Sequence, residues 1–208
     1  MVRLRIPSVQ ILTVLFLTAL FLTPARSGQA EVFSNTTPII INDNSTATPY
    51  PSNIAVSGMT GSIIDLSVTL HGLSHTFPGD IAGLLVGPSG VTTSLMVGAG
   101  GADPVNGVTL TFRDDAPSII PQFSQITTGN YQPTNYAPGF SLSGPAPAGP
   151  YGDTFSNHLL TDPNGIWSLY IQDTDSGEFG EVSGGMVLGP DYRRDNQPDV
   201  YRGKHYHP

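Results

Sequence analysis

The side chains of this chain that could do chemistry are carboxylates and histidines, because cysteine is absent. A disulfide scaffold and a Cys-ligated metal site are therefore excluded. Three acidic groups stand in turn-like surroundings: Asp80 beside Gly79, the pair Asp114 and Asp115, and Asp173 with Asp175 and Glu178 in a Gly-containing stretch. Calcium takes six to eight oxygens from carboxylates, carbonyls and water, typically in turns where backbone carbonyls are free. All six residues are thus candidate calcium ligands. The competing reading for each group is a capped turn, in which Asp bonds the backbone two residues on. Acid–base chemistry on a glycoside fits poorly. Asp114 and Asp115 are adjacent on a strand pattern and point to opposite faces, so they do not flank one bond at the ~5–9 Å such chemistry needs.

Charge strengthens the cation reading. From Glu31 to Pro190 the only Lys or Arg is Arg113, against 13 Asp and Glu, a charge of −12. Such a surface must repel itself or attract cations, although acidity also serves solubility alone. Nucleic acid is excluded as a partner, since its binding rests on neutralising phosphates. His205 and His207 lie in a polar terminal stretch and would bind a metal only opportunistically. No His-Glu-x-x-His and no Gly-x-Ser-x-Gly occurs, so neither a zinc protease helix nor a nucleophile elbow is present.

The elements that must position these residues are strands. Gly and Pro occupy 24 and 19 of the 208 positions, which excludes a helical bundle. Ile64, Leu66, Val68 and Leu70 alternate with polar residues, the period of a half-buried antiparallel strand. Val108, Leu110 and Phe112 repeat the pattern, as do Trp167, Leu169 and Ile171. Shorter runs at 39–41, 53–56, 81–86, 93–97 and 185–188 complete about eight strands. Helix content should be near zero. With no helix to cover a parallel sheet, the expected fold is an all-β, two-sheet jelly-roll sandwich in one domain. The stretch from Pro117 to Asn157 holds seven Pro and reads as loops with one edge strand. Trp167 reads as core rather than as a sugar-stacking platform.

The ends differ from this body. Arg3 and Arg5, an apolar run from Ile11 to Leu22 and small residues from Ala25 to Ala30 make residues 1–30 a secretory signal peptide with cleavage after Ser27 or Ala30. The run is shorter than the ~20 residues of a membrane span, so none is expected after cleavage. Residues 31–190 form the domain. Residues 191–208 lose apolar character and are expected to be a disordered polar tail.

Four ordered motifs carry a resemblance. Ser74-His75-Thr76-Phe77-Pro78-Gly79-Asp80-Ile81 is followed by Leu84-Leu85-Val86-Gly87-Pro88-Ser89-Gly90; then come Leu110 to Ala116, Gly165 to Asp173, and Gly180-Glu181-Val182 with Met186 to Leu188. Together they resemble the P domain, or Homo B domain, of proprotein convertases and bacterial subtilisin-like serine proteases. The family's strand, His-Thr, Gly-Asp-Leu and Pro-x-Gly pattern is matched with Ile81 in place of Leu. The last pair matches the family's closing hairpin, with Met186 near a position where many members place an aromatic residue. The resemblance implies a galactose-binding-like jelly roll with a structural role for His75 and Asp80. It also implies an accessory module that supports the folding, stability and interactions of a catalytic domain.

No such catalytic domain fits between the leader and Ile39. His71-Gly72-Leu73-Ser74-His75 is only faintly similar to the His-Gly-x-His of those proteases, and no partner Ser motif exists, so the chain is expected not to be an enzyme. The expected function is a secreted non-catalytic module, extracellular or periplasmic, with a protein partner such as a secreted protease. The alternative is a calcium-dependent carbohydrate or cell-surface binding module, which exposed Tyr131, Tyr136, Phe140 and Tyr151 would favour if they lined one groove.

Overall fold

A computed structural model describes residues 29–193. Almost the whole of the expected leader and most of the expected tail lie outside the described residues. Within them the chain forms strands β1 (Gln29–Ala30), β2 (Phe33–Asn35), β3 (Ile39–Ile41), β4 (Ser52–Val56), β5 (Ser62–His75), β6 (Ile81–Val86) and β7 (Thr92–Val97). These are followed by β8 (Val105–Phe112), β9 (Gly129–Tyr131), β10 (Thr134–Asn135), β11 (Gly165–Asp173), β12 (Gly180–Val182) and β13 (Met186–Arg193). Two single turns of 3-10 helix, η1 (Pro78–Asp80) and η2 (Phe155–His158), are the only helical pieces among the described residues. The strands beyond the eight expected are β1, β2, β9, β10 and β12, each two or three residues long. Segments that short carry no readable period.

The fold is an all-β sandwich. One sheet is built on β5, with β8 and then β9 on one flank and β12 and β13 end to end on the other. The second sheet runs β10-β7-β6-β11-β4. The chain crosses between sheets at β3–β4, β4–β5, β5–β6, β7–β8, β9–β10 and β11–β12. Alternation explains the shared core: Trp167, Leu169 and Ile171 of β11 face Leu66, Val68 and Leu70 of β5 across it, all buried. Trp167 is fully enclosed, and its indole N–H donates to Pro163 O at 2.9 Å. It is a core residue.

Two irregularities reset the period of β5. Its pairing with β13 slips between Asp65 and Ile63, so Ile63 rather than Ile64 is buried. Its pairing with β8 slips again between Leu70 and Leu73. That second bulge carries the phase onto Leu73 and His75, which both face inward. It depends on Gly72 at φ +71, where a Cβ would also collide with the Ser183 hydroxyl.

The expected closing hairpin takes another form. β12 and β13 both run antiparallel to β5, with registers offset by one residue because Ser183–Gly185 stand opposite only His71–Gly72. The folded body also passes Pro190. β13 continues to Arg193, Tyr192 is buried, and β1 pairs with residues 191 and 192. The Gly189-Pro190 break only separates β1 from β2 on that flank, since Pro has no N–H to give the ladder.

Candidate functional site

The sandwich places a polar tie between its sheets at the end of β5. His75 lies on one sheet and Asp173 ends β11 of the other, and both side chains are fully buried. His75 Nδ1 accepts from the Phe77 N–H at 3.2 Å, so Nε2 carries the ring proton and donates to Asp173 Oδ2 at 3.1 Å. Asp173 Oδ1 accepts from the Asp175 N–H at 3.0 Å. Each buried polar atom has a partner, which is the condition for such a pair to stand in a core.

From this tie the acidic loops spread outward. Thr174 donates through both its N–H and its hydroxyl to Asp80 O, each at 3.0 Å, fastening the β11–β12 loop to η1. Asp43 Oδ1 accepts from the Gly177 N–H at 2.8 Å, which brings the β3–β4 turn to the same end. Asp80 thus sits among other acids, and among the described residues no Lys or Arg forms an ion pair with it. Its carboxyl is pushed up to about 6, first by burial and then by Asp173, Asp175 and Glu178. The fold thus joins Asp80 to the separate Asp173, Asp175 and Glu178 group, with Asp43 added. Asp43 escaped the sequence reading because it is 37 residues from Asp80 and has no acidic neighbour.

Calcium geometry does not follow from this gathering. Asp173 uses both oxygens on protein donors, and Asp175 Oδ1 is taken by the Ser176 N–H at 2.8 Å. Among the described residues no group of three or more His, Asp or Glu is placed to hold a metal ion.

Asp114 and Asp115 belong to the other end of β5, and the six candidates do not form one site. Asp114 is turned inward: it accepts from the Thr154 hydroxyl (2.6 Å), the Phe155 N–H (2.8 Å) and the Ser156 N–H (2.9 Å), capping η2 from outside its own segment. Asp115 points outward and pairs with Arg113 Nε at 2.9 Å, while Arg113 Nη2 reaches Asp65 at 2.7 Å. The pair stands in a turn past the end of β8 at Phe112, so its opposite directions are set by these partners and not by the strand alternation expected from the sequence.

The four aromatics of the Pro-rich crossover are tied into the body. Tyr151 is buried and donates to Pro147 O, Tyr136 donates to Ile120 O, and Tyr131 donates to Thr127 O. Phe140 packs on the Ala82–Leu84–Leu142 cluster. His158 is a buried group that sequence periodicity did not flag, since it stands in a crossover without a period. Its Nε2 lies 3.0 Å from Thr93 Oγ1, both enclosed, so this His–Thr pair has no access to a substrate. No helix among the described residues is long and apolar enough to cross a membrane. No family model matches the chain, and no curated protein does.

Proposed function

We propose that this chain is a secreted, non-catalytic module of the P or Homo B type that acts through protein contact, on a partner such as a secreted subtilisin-like endopeptidase. One observation carries the reading: two of the stretches that resemble the family, separated by about ninety residues, are joined by the buried His75–Asp173 tie and by Thr174 on the Asp80 carbonyl. Residues with no catalytic partner are thereby given a structural reason to occur together. The histidines also support a non-catalytic reading, because His75 and His158 are enclosed, both ring nitrogens of His75 are bonded to the scaffold, and Nε2 of His158 lies against the Thr93 hydroxyl.

Protein contact is favoured over glycan binding because Tyr131, Tyr136, Phe140 and Tyr151 are engaged in packing and backbone hydrogen bonds. Secretion rests on the signal-like residues 1–30. The test is to immobilise residues 31–208, capture partners from the secreted proteins of the source, and then add the purified module back to the captured endopeptidase. A longer thermal half-life of that endopeptidase is the expected result. Saturable, calcium-dependent binding on a glycan array with no endopeptidase captured would overturn the proposal.

A further inference from the structure

The segment Phe155–Thr161 combines two features that a scaffold loop does not need. The first is His158. The Thr93 hydroxyl lies 3.0 Å from both Thr154 O and His158 Nε2. Its single proton is committed to the carbonyl, so the imidazole must donate from Nε2 and leave Nδ1 as a bare acceptor. That Nδ1 is buried with no hydrogen-bond partner. It faces Gly87, where a Cβ would come within 2.9 Å, and the ring lies tilted on Trp167 at a centroid distance of 5.2 Å. The second feature is Leu160, a non-glycine residue at φ +64 whose side chain is 76% exposed. It is held there by backbone hydrogen bonds on both sides, Leu160 N–H to Ile63 O at 2.8 Å and Ile63 N–H to Thr161 O at 3.0 Å. A bulky residue in the left-handed region is strained, and strain of this kind persists only when its surroundings impose it.

We propose that Phe155–Thr161 is an acid-released latch: the neutral His158 ring holds it shut between the sheets, and a proton on Nδ1 lets the segment and the Pro-rich crossover leading into it lift away. A proton there finds no acceptor, only the Trp167 ring and the Gly87 turn. The neighbouring elements offer little charge to compensate. Thr93 of β7 is neutral, Asp65 of β5 is turned to Arg113, and Asp114 is the one acid acting on the ring while already accepting three hydrogen bonds from Thr154, Phe155 and Ser156. Burial accordingly holds His158 down at about 4, with Asp114 opposing. Opening also relieves Leu160, so strain and protonation act in the same direction.

The sign follows from linkage. An open segment takes up its proton near the ordinary histidine value of about 6.5 and the closed one only near 4, so the opening equilibrium rises about tenfold per pH unit between them, ~100-fold or more in total. Trp167 is the only tryptophan of the chain and reports on the ring directly. The experiment follows its fluorescence from pH 7 to 3 in parallel with nicking of 155–161 by pepsin at the acid end and by a neutral protease at the upper end. A fluorescence change and a nick that appear together while far-UV dichroism is retained are expected. His158→Phe should abolish the pH dependence of both. Leu160→Gly, which removes the strain and keeps the histidine, should move the transition to lower pH. The proposal is overturned if His158→Phe opens over the same pH range, if Leu160→Gly leaves the midpoint unmoved, or if the whole sandwich unfolds together with the segment.

Discussion

Replacing Asp80 with Asn tests whether the acidic end of the sandwich is a site of repulsion or a site of cation binding. Asp80 attaches η1 through its main chain, with its N–H on Phe77 O and its carbonyl accepting twice from Thr174. The amide substitution keeps those bonds and the side-chain shape while removing one charge from a group that includes Asp173, Asp175 and Glu178. The carboxyl is raised from 3.8 to about 6. Two units correspond to a ceiling of ~3 kcal/mol, and solvent screening of this partly exposed group reduces that to about 1 kcal/mol.

The sign is stabilising for the substitution. A carboxyl raised in the folded state opposes folding wherever it is ionised, so the penalty is complete above pH 6, shrinks as pH falls, and is absent below 3.8. In chelated low-salt buffer at pH 7, D80N should melt about 2–4 °C above the parent, the shift ~1 kcal/mol gives in a domain of this size. The gain should vanish by about pH 4 and shrink in high salt. Melting curves at pH 7 and 4, with chelator and with millimolar calcium, check each arm. If D80N is the less stable protein at pH 7 in chelator, or if its gain is the same at pH 4, the repulsion argument is wrong. If the parent overtakes D80N when calcium is added, Asp80 is a calcium ligand after all, because an ion bound only by the folded state raises apparent stability.

His75→Ala leaves the Asp173 carboxylate buried without its donor and should cost about 3–5 kcal/mol, read as a lower urea midpoint at unchanged slope. Trp167→Ala opens a cavity between the sheets and should cost a similar ~3–5 kcal/mol, with loss of the near-UV aromatic dichroism. Gly180→Ala puts a Cβ against Ser74 O and the His75 ring, so β12 must move off β5; a loss of about 1–3 kcal/mol is expected, and a variant as stable as the parent would contradict that close approach. Arg113→Met removes two partly exposed ion pairs, to Asp65 and Asp115, and should cost no more than about 1 kcal/mol, an effect that disappears in molar salt.

The inward direction of Asp173 is legible in the sequence. It continues the alternation of Trp167, Leu169 and Ile171, and a carboxylate on an apolar face requires a buried donor. The donor is not legible, because the phase of β5 read from Ile64 to Leu70 puts residue 75 on the outer face, and only the bulge at His71–Gly72 turns it inward. Asp114 shows the same division. Strand alternation would separate it from Asp115, but the pair lies in a turn beyond β8, and the three donors that draw Asp114 inward lie forty or more residues away in a crossover with no period.

The sequence by itself determined the longer strands, the sandwich class, the core face of β11 and the acidity of the body, because each is a local or compositional property that alternation and counting express directly. The tertiary structure decided which carboxylates meet. It gathered Asp43, Asp80, Asp173, Asp175 and Glu178 at one end, sent Asp114 and Asp115 to the other, and enclosed His158. Those outcomes depend on bulges and loop crossings that shift register by a single residue. In a strand of period two, one residue reverses which side chains face the core.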